Sequence, residues 1–62
     1  MRSRAVIKLI EKDGWVEVRQ SGSHKQFRHP SRPGTITVPH PKAAMATGTL
    51  KSIEKQSGVR LR

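Results

Sequence analysis

Three histidines, His24, His29 and His40, are the only side chains of this sequence that ordinarily titrate near neutrality, so proton-transfer chemistry is to be sought around them. A histidine on a small basic protein is most often a surface residue without a task, and that reading suits His29 and His40. His24 stands apart. It follows Gly22-Ser23, where a flexible turn lets a substrate backbone come close, and Lys25 and Arg28 lie near it to anchor a phosphate. An imidazole so placed can serve as a general base.

Other chemistries lack their parts. His24 and His29 are an odd number of residues apart on one strand and point to opposite faces, and with no cysteine and four acids the chain offers no four-ligand zinc set. Ser21, Ser23 and Ser31 lack the strand-to-helix elbow of a serine hydrolase. No glycine-rich loop has nucleotide-binding spacing. One use of a single imidazole remains, because RNA carries its own nucleophile in the 2′-hydroxyl. The protein then needs only to remove a proton and hold the phosphate, and neither metal nor cofactor is expected.

The charge agrees with such a substrate. In 62 residues there are 13 Lys plus Arg against 4 Asp plus Glu, a formal net charge of +9. From Val18 to Ile53 no acid occurs, while Arg19, Lys25, Arg28, Arg32, Lys42 and Lys51 do. A one-signed field repels itself unless a polyanion supplies countercharge, so nucleic acid is the leading partner class. A phospholipid surface is the weaker competitor, because membrane binders of this size usually carry an amphipathic helix with bulky apolar residues opposite a basic face. The longest apolar run, 43–46, is far short of the roughly 20 residues that span a bilayer. Lys8 interrupts the only stretch resembling a signal-peptide core, and with no cysteine a reducing cytoplasm is the expected compartment.

The elements that must position these residues follow from periodicity. Ser3 is a candidate cap for a helix over 4–13, in which Val6, Ile7, Leu9 and Ile10 recur at helical spacing before Gly14 stops it. Residues 15–20 alternate as a strand with Val16 and Val18 on one face, and Ser21-Gly22-Ser23 supplies a turn. Residues 24–29 form a second strand, Pro30 to Gly34 break it, and the β-branched run 35–38 forms a third. Thr47 or Gly48 caps a final helix over 49–57, ended by Gly58. The expected fold is a single α+β domain over 1–62, an α-β-β-β-α chain whose three-stranded antiparallel sheet carries both helices on one face.

Pleat parity gives directions. With Phe27 turned to the helices, Lys25 and His29 share its face, and His24, Gln26 and Arg28 point to solvent beside Glu17, Arg19, Thr35 and Thr37. Keeping Phe27 on the face of Ile36 and Val38 places His24 across from Pro39 or Pro41. His40 is then close by, inward by parity and a candidate second participant, including as general acid. Trp15 and Phe27 are expected to plug the core rather than stack on bases. Lys51 and Lys55 join the functional face only if helix two turns them to the side of Arg19 or Arg28.

The run Leu9 to Trp15 (LIEKDGW), the tripeptide Gly22-Ser23-His24, Val38-Pro39-His40-Pro41 and Gly48 to Ile53 (GTLKSI), in this order over nearly the whole chain, resemble the HicA family of toxins. The resemblance implies a double-stranded-RNA-binding-domain-like fold, a toxin of a type II toxin–antitoxin system that arrests growth by cleaving mRNA, catalysis by His24, and a cognate HicB antitoxin that blocks the site. The antitoxin is expected to be acidic. The sequence departs from the family pattern at 43–47, where relatives often carry polar or acidic residues and a proline. The expectation is therefore an endoribonuclease in which His24 activates the 2′-hydroxyl, Lys25, Arg28 and Arg19 hold phosphate, Gly22 and Ser23 admit the strand, and Lys51 adds a further cation. A non-catalytic RNA-binding module of the same fold is the alternative.

Overall fold

Val6 and Ile10, one helical repeat apart, share a face of helix α1 (Ser3–Lys12) and are fully buried by the sheet behind them. In the computed structural model, which describes residues 1–61, α1 is followed by β1 (Val16–Ser21), β2 (His24–Arg28), β3 (Thr35–Pro39) and α2 (Thr47–Ser57). The sheet is antiparallel in the order β1-β2-β3. Phe27 pairs with Ile36 and Lys25 with Val38, so the apolar side chains of β2 and β3 fall on one face. Leu50 and Ile53 of α2 close on that face with Val6 and Ile10, while Trp15 and Met45 complete the core from the connections. The expected architecture, both helices over one side of a three-stranded meander, is the one observed.

α1 ends as its sequence implies. The Gly14 N–H donates to Glu11 O at 3.0 Å, and Gly14 adopts φ +108°, a conformation that side chains with a Cβ avoid. His29 occupies the space this glycine leaves: its Nε2 donates to Asp13 O at 2.9 Å, its Nδ1 accepts from the Ser31 N–H at 3.0 Å, and its ring meets Trp15 edge-on at 5.1 Å. His29 thus ties β2 to the end of α1.

Two expectations are corrected here. Ser3 does not cap α1; Arg2 does, without a side-chain bond, because the Ser3 hydroxyl is spent elsewhere. It is buried, accepts from the Lys42 N–H at 2.9 Å and bonds His40 Nδ1 at 2.7 Å, so it fastens the 40–42 segment to the helix. Ala46 likewise, rather than Thr47 or Gly48, precedes α2 as its cap, whereas Gly58 ends that helix in the left-handed conformation as anticipated. The second correction concerns β1. Its register slips by one residue between Glu17 and Arg19, a bulge at Val18. A bulge moves the preceding residues to the other face of the pleat. Val16 therefore turns outward, 58% exposed, with Val18 at 54%, and Glu17 turns to the helix side opposite Phe27.

Candidate functional site

β1 and β2 are joined by the two residues Gly22-Ser23, with Ser21 paired to His24. Gly22 has φ +58° and Ser23 does not have positive φ, the requirement of a tight hairpin with glycine first. A Cβ at Gly22 would meet nothing within 4 Å, so the glycine serves the turn and leaves open space above it. Gln20 Nε2 donates to Gly22 O at 3.2 Å and the His40 N–H donates to Ser23 O at 2.7 Å, which pins the turn from both flanking strands. His24 is the first residue after it.

His24 lies opposite Pro39, on the sheet face away from the helices, and is exposed. Among the described residues its ring makes no hydrogen bond, so both nitrogens are open to a ligand. The bulge brings Arg19 opposite Gln26 and hence to the same face, diagonal to His24, an arrangement that separates Cα atoms by roughly 7–8 Å. Arg28 shares the face four residues along β2, about 13 Å away at strand rise. Val16, Ser21, Thr35 and Thr37, all exposed, and the half-buried Gln26 and Pro39 fill the remaining positions of this face.

Two cations expected to help hold the RNA do not share the face of His24, Lys25 as pleat parity implies and Lys51 because its helix lies behind the sheet. Lys25 faces the helix side, its side chain 19% exposed, and its Nζ donates to Glu17 Oε1 at 2.9 Å. Glu17 reaches that position only because of the bulge, which turns it away from the open face where parity alone had placed it. Lys51 is exposed on α2, in the layer behind the sheet. Arg19, His24 and Arg28 share the open face, with Gly22 and Ser23 at its turn end.

A feature missed by pattern reasoning adjoins it. The first turn of α1 and the 40–43 segment flank an open cleft of about 280 Å³, lined by Arg2, Ser3, Arg4, His40, Pro41, Lys42 and Ala43. Nothing in the local sequence pairs residues 2–4 with 40–42. No group of three or more His, Cys, Asp or Glu able to hold a metal occurs among the described residues. No helix among them is long and apolar enough to cross a membrane.

Architecture and surface together define a class, a small α-β-β-β-α protein that presents an unengaged imidazole and arginines on the open face of its sheet. The family described as the HicA toxin of bacterial toxin–antitoxin systems matches residues 3–59, and the chain belongs to that family. It is a toxin-family member of a toxin–antitoxin system. A solved structure titled "HicA3 and HicB3 toxin-antitoxin complex" contains a chain that superposes with a TM-score of 0.87 at 30% identity, covering 100% of both chains. No curated protein matches the sequence.

Proposed function

We propose that this HicA-family toxin is an endoribonuclease that cuts mRNA in the cytoplasm with His24 as general base. The observation that carries the reading is the exposed His24 ring, without a hydrogen-bond partner among the described residues, directly after a glycine turn with nothing above it. A histidine held there has no packing role, whereas His29 and His40 are both tied into the structure.

The reaction needs little else. The imidazole removes the proton of a 2′-hydroxyl; the 2′-oxygen attacks the adjacent phosphorus as the bond to the 5′-oxygen breaks, and that oxygen takes up a proton returned by the imidazolium or supplied by water. The products are a 2′,3′-cyclic phosphate and a free 5′-hydroxyl. Arg19, the nearer cation, holds the scissile phosphate, and Arg28 a more distant one along the strand. Gly22 and Ser23 let the RNA backbone approach the ring. Lys25, held by Glu17, and Lys51, in the helical layer, have no direct part.

The partner is a HicB-like antitoxin, acidic enough to meet a +9 chain, that covers the His24 face. The matching chain was solved with HicB3, and the exposed Val16 on the same face as His24 offers such a partner an apolar contact. The test is cleavage of single-stranded RNA by the purified chain in excess EDTA, beside His24→Ala. Cleavage by the wild type and none by the variant, with equal melting temperatures, is expected. Cleavage that is lost in EDTA and restored by a divalent ion overturns the mechanism, and salt-sensitive binding without any cleavage makes the chain an RNA-binding module.

A further inference from the structure

We infer that the cleft between the first turn of α1 and the 40–43 segment is a second phosphate site on the RNA path, one that positions the strand for His24. The inference rests on the ribonuclease reading and extends it to a surface of which the sequence motifs mark only His40 and Pro41.

Charge is the first argument. Arg2, Arg4 and Lys42 converge on one concavity with no carboxylate in its lining and none in the first turn of α1. Two cations elsewhere are paired, Lys25 with Glu17 at 2.9 Å and Arg32 with Asp13 at 3.7 Å. The three cations of the cleft have no such partner among the described residues. Like charges gathered in a hollow raise the local potential and call for an anion.

Hydrogen bonding is the second. The Ser3 hydroxyl accepts from the Lys42 N–H at 2.9 Å and bonds His40 Nδ1 at 2.7 Å, which fixes the ring and leaves Nε2 as the remaining polar atom of a half-buried side chain in the cleft wall. With Nε2 protonated the wall offers a donor among three cations. The cleft volume of about 280 Å³ admits a phosphate with the edge of its ribose.

Position is the third. Pro39 faces His24 across the ladder, and the His40 N–H donates to Ser23 O, so the cleft begins one residue beyond the partner of His24, at the same end of the sheet. The helix α1 that forms one wall of the cleft packs on the sheet face opposite His24, so an RNA strand whose scissile phosphate sits on His24 reaches the cleft by turning over this end of the sheet. Arg2, Arg4, Lys42 and His40 are therefore positioning residues, and they act on substrate affinity.

The experiment measures binding of a single-stranded RNA to full-length His24→Ala, which leaves the RNA intact, across a range of salt concentrations. Adding Arg4→Gln with Lys42→Gln, both at exposed side chains and without touching the backbone bonds of Ser3 and Lys42, should flatten the log-log salt slope by about 0.7, for the one phosphate no longer neutralised. In the His24 background the same pair should raise KM and leave kcat nearly unchanged. Lys12→Gln, at the far end of α1, is the control and should leave the slope as it was. An unchanged slope and KM in the pair overturns the site and leaves the ribonuclease reading standing. A flattened slope from a wild type that cuts no RNA keeps the phosphate site while catalysis by His24 falls, and a wild type that binds no RNA overturns both. If the pair weakens only antitoxin binding, the cleft takes protein carboxylates and the inference is wrong.

Discussion

Replacing Ser3 by alanine removes one oxygen atom and unfastens two segments. The hydroxyl belongs to a residue only 1% exposed and is bonded both to the Lys42 N–H at 2.9 Å and to His40 Nδ1 at 2.7 Å, so its loss leaves a backbone donor and a ring nitrogen without their partner. A buried donor left unsatisfied costs about 1–3 kcal/mol, and water entering from the adjoining cleft recovers part of it, which leaves a loss of about 1–2 kcal/mol. An unfolding entropy of about 2.1 cal/mol/K per residue over this short chain converts that to a fall of about 8–15 °C in Tm. Thermal melting by circular dichroism reads the shift directly, with Ser52→Ala on the exposed side of α2 as control. A Tm change in Ser3→Ala no larger than the roughly 4 °C of a neutral surface substitution would refute the claim that Ser3 anchors the 40–42 segment.

Gly14→Ala should be worse tolerated than Gly22→Ala, though both glycines have positive φ. A Cβ at position 14 would come 2.8 Å from His29 Nε2, whereas at position 22 it meets nothing, so Gly22→Ala should cost only about 1 kcal/mol of backbone strain in denaturant titration. Phe27→Ala should leave the chain largely unfolded at room temperature by circular dichroism, since about 3–5 kcal/mol lost from a core this small rivals the whole stability. Glu17→Gln should lower stability by less than about 1 kcal/mol, because the Lys25 pair is partly solvated, and should leave RNA cleavage unchanged. Adding a cognate antitoxin in excess should raise Tm and suppress cleavage together, as a ligand of the folded state does, and a partner that moves neither would refute the docking of HicB over His24.

The legible parts of this molecule are those set by period and by pairing constraints. Apolar recurrence located α1 and α2, and the need to keep Phe27, Ile36 and Val38 on one face narrowed the partner of His24 to Pro39 or Pro41, of which the observed register takes Pro39. The same reasoning failed at β1, because nothing in Val16 to Arg19 announces a bulge. One inserted residue exchanged the faces of Val16 and Glu17 and supplied Lys25 with its carboxylate. Ser3 misled for a related reason: a serine before an apolar repeat has the form of a cap, but a backbone N–H 39 residues away along the chain claimed its hydroxyl. The cleft beside it is built from two segments that only the tertiary fold brings together. Local pattern therefore revealed the imidazole and the turn that presents it, while the choice among the cations required the register.

The central claim is that the nucleophile belongs to the substrate and that His24 only moves its proton. Two oligonucleotides of one sequence test it most directly, one of RNA and one carrying 2′-O-methyl groups throughout, each incubated with the wild-type chain and assayed for both binding and scission. Binding of both with cutting of the RNA alone, to fragments ending in 2′,3′-cyclic phosphate, is the predicted result. Scission of the methylated strand at a comparable rate would contradict it.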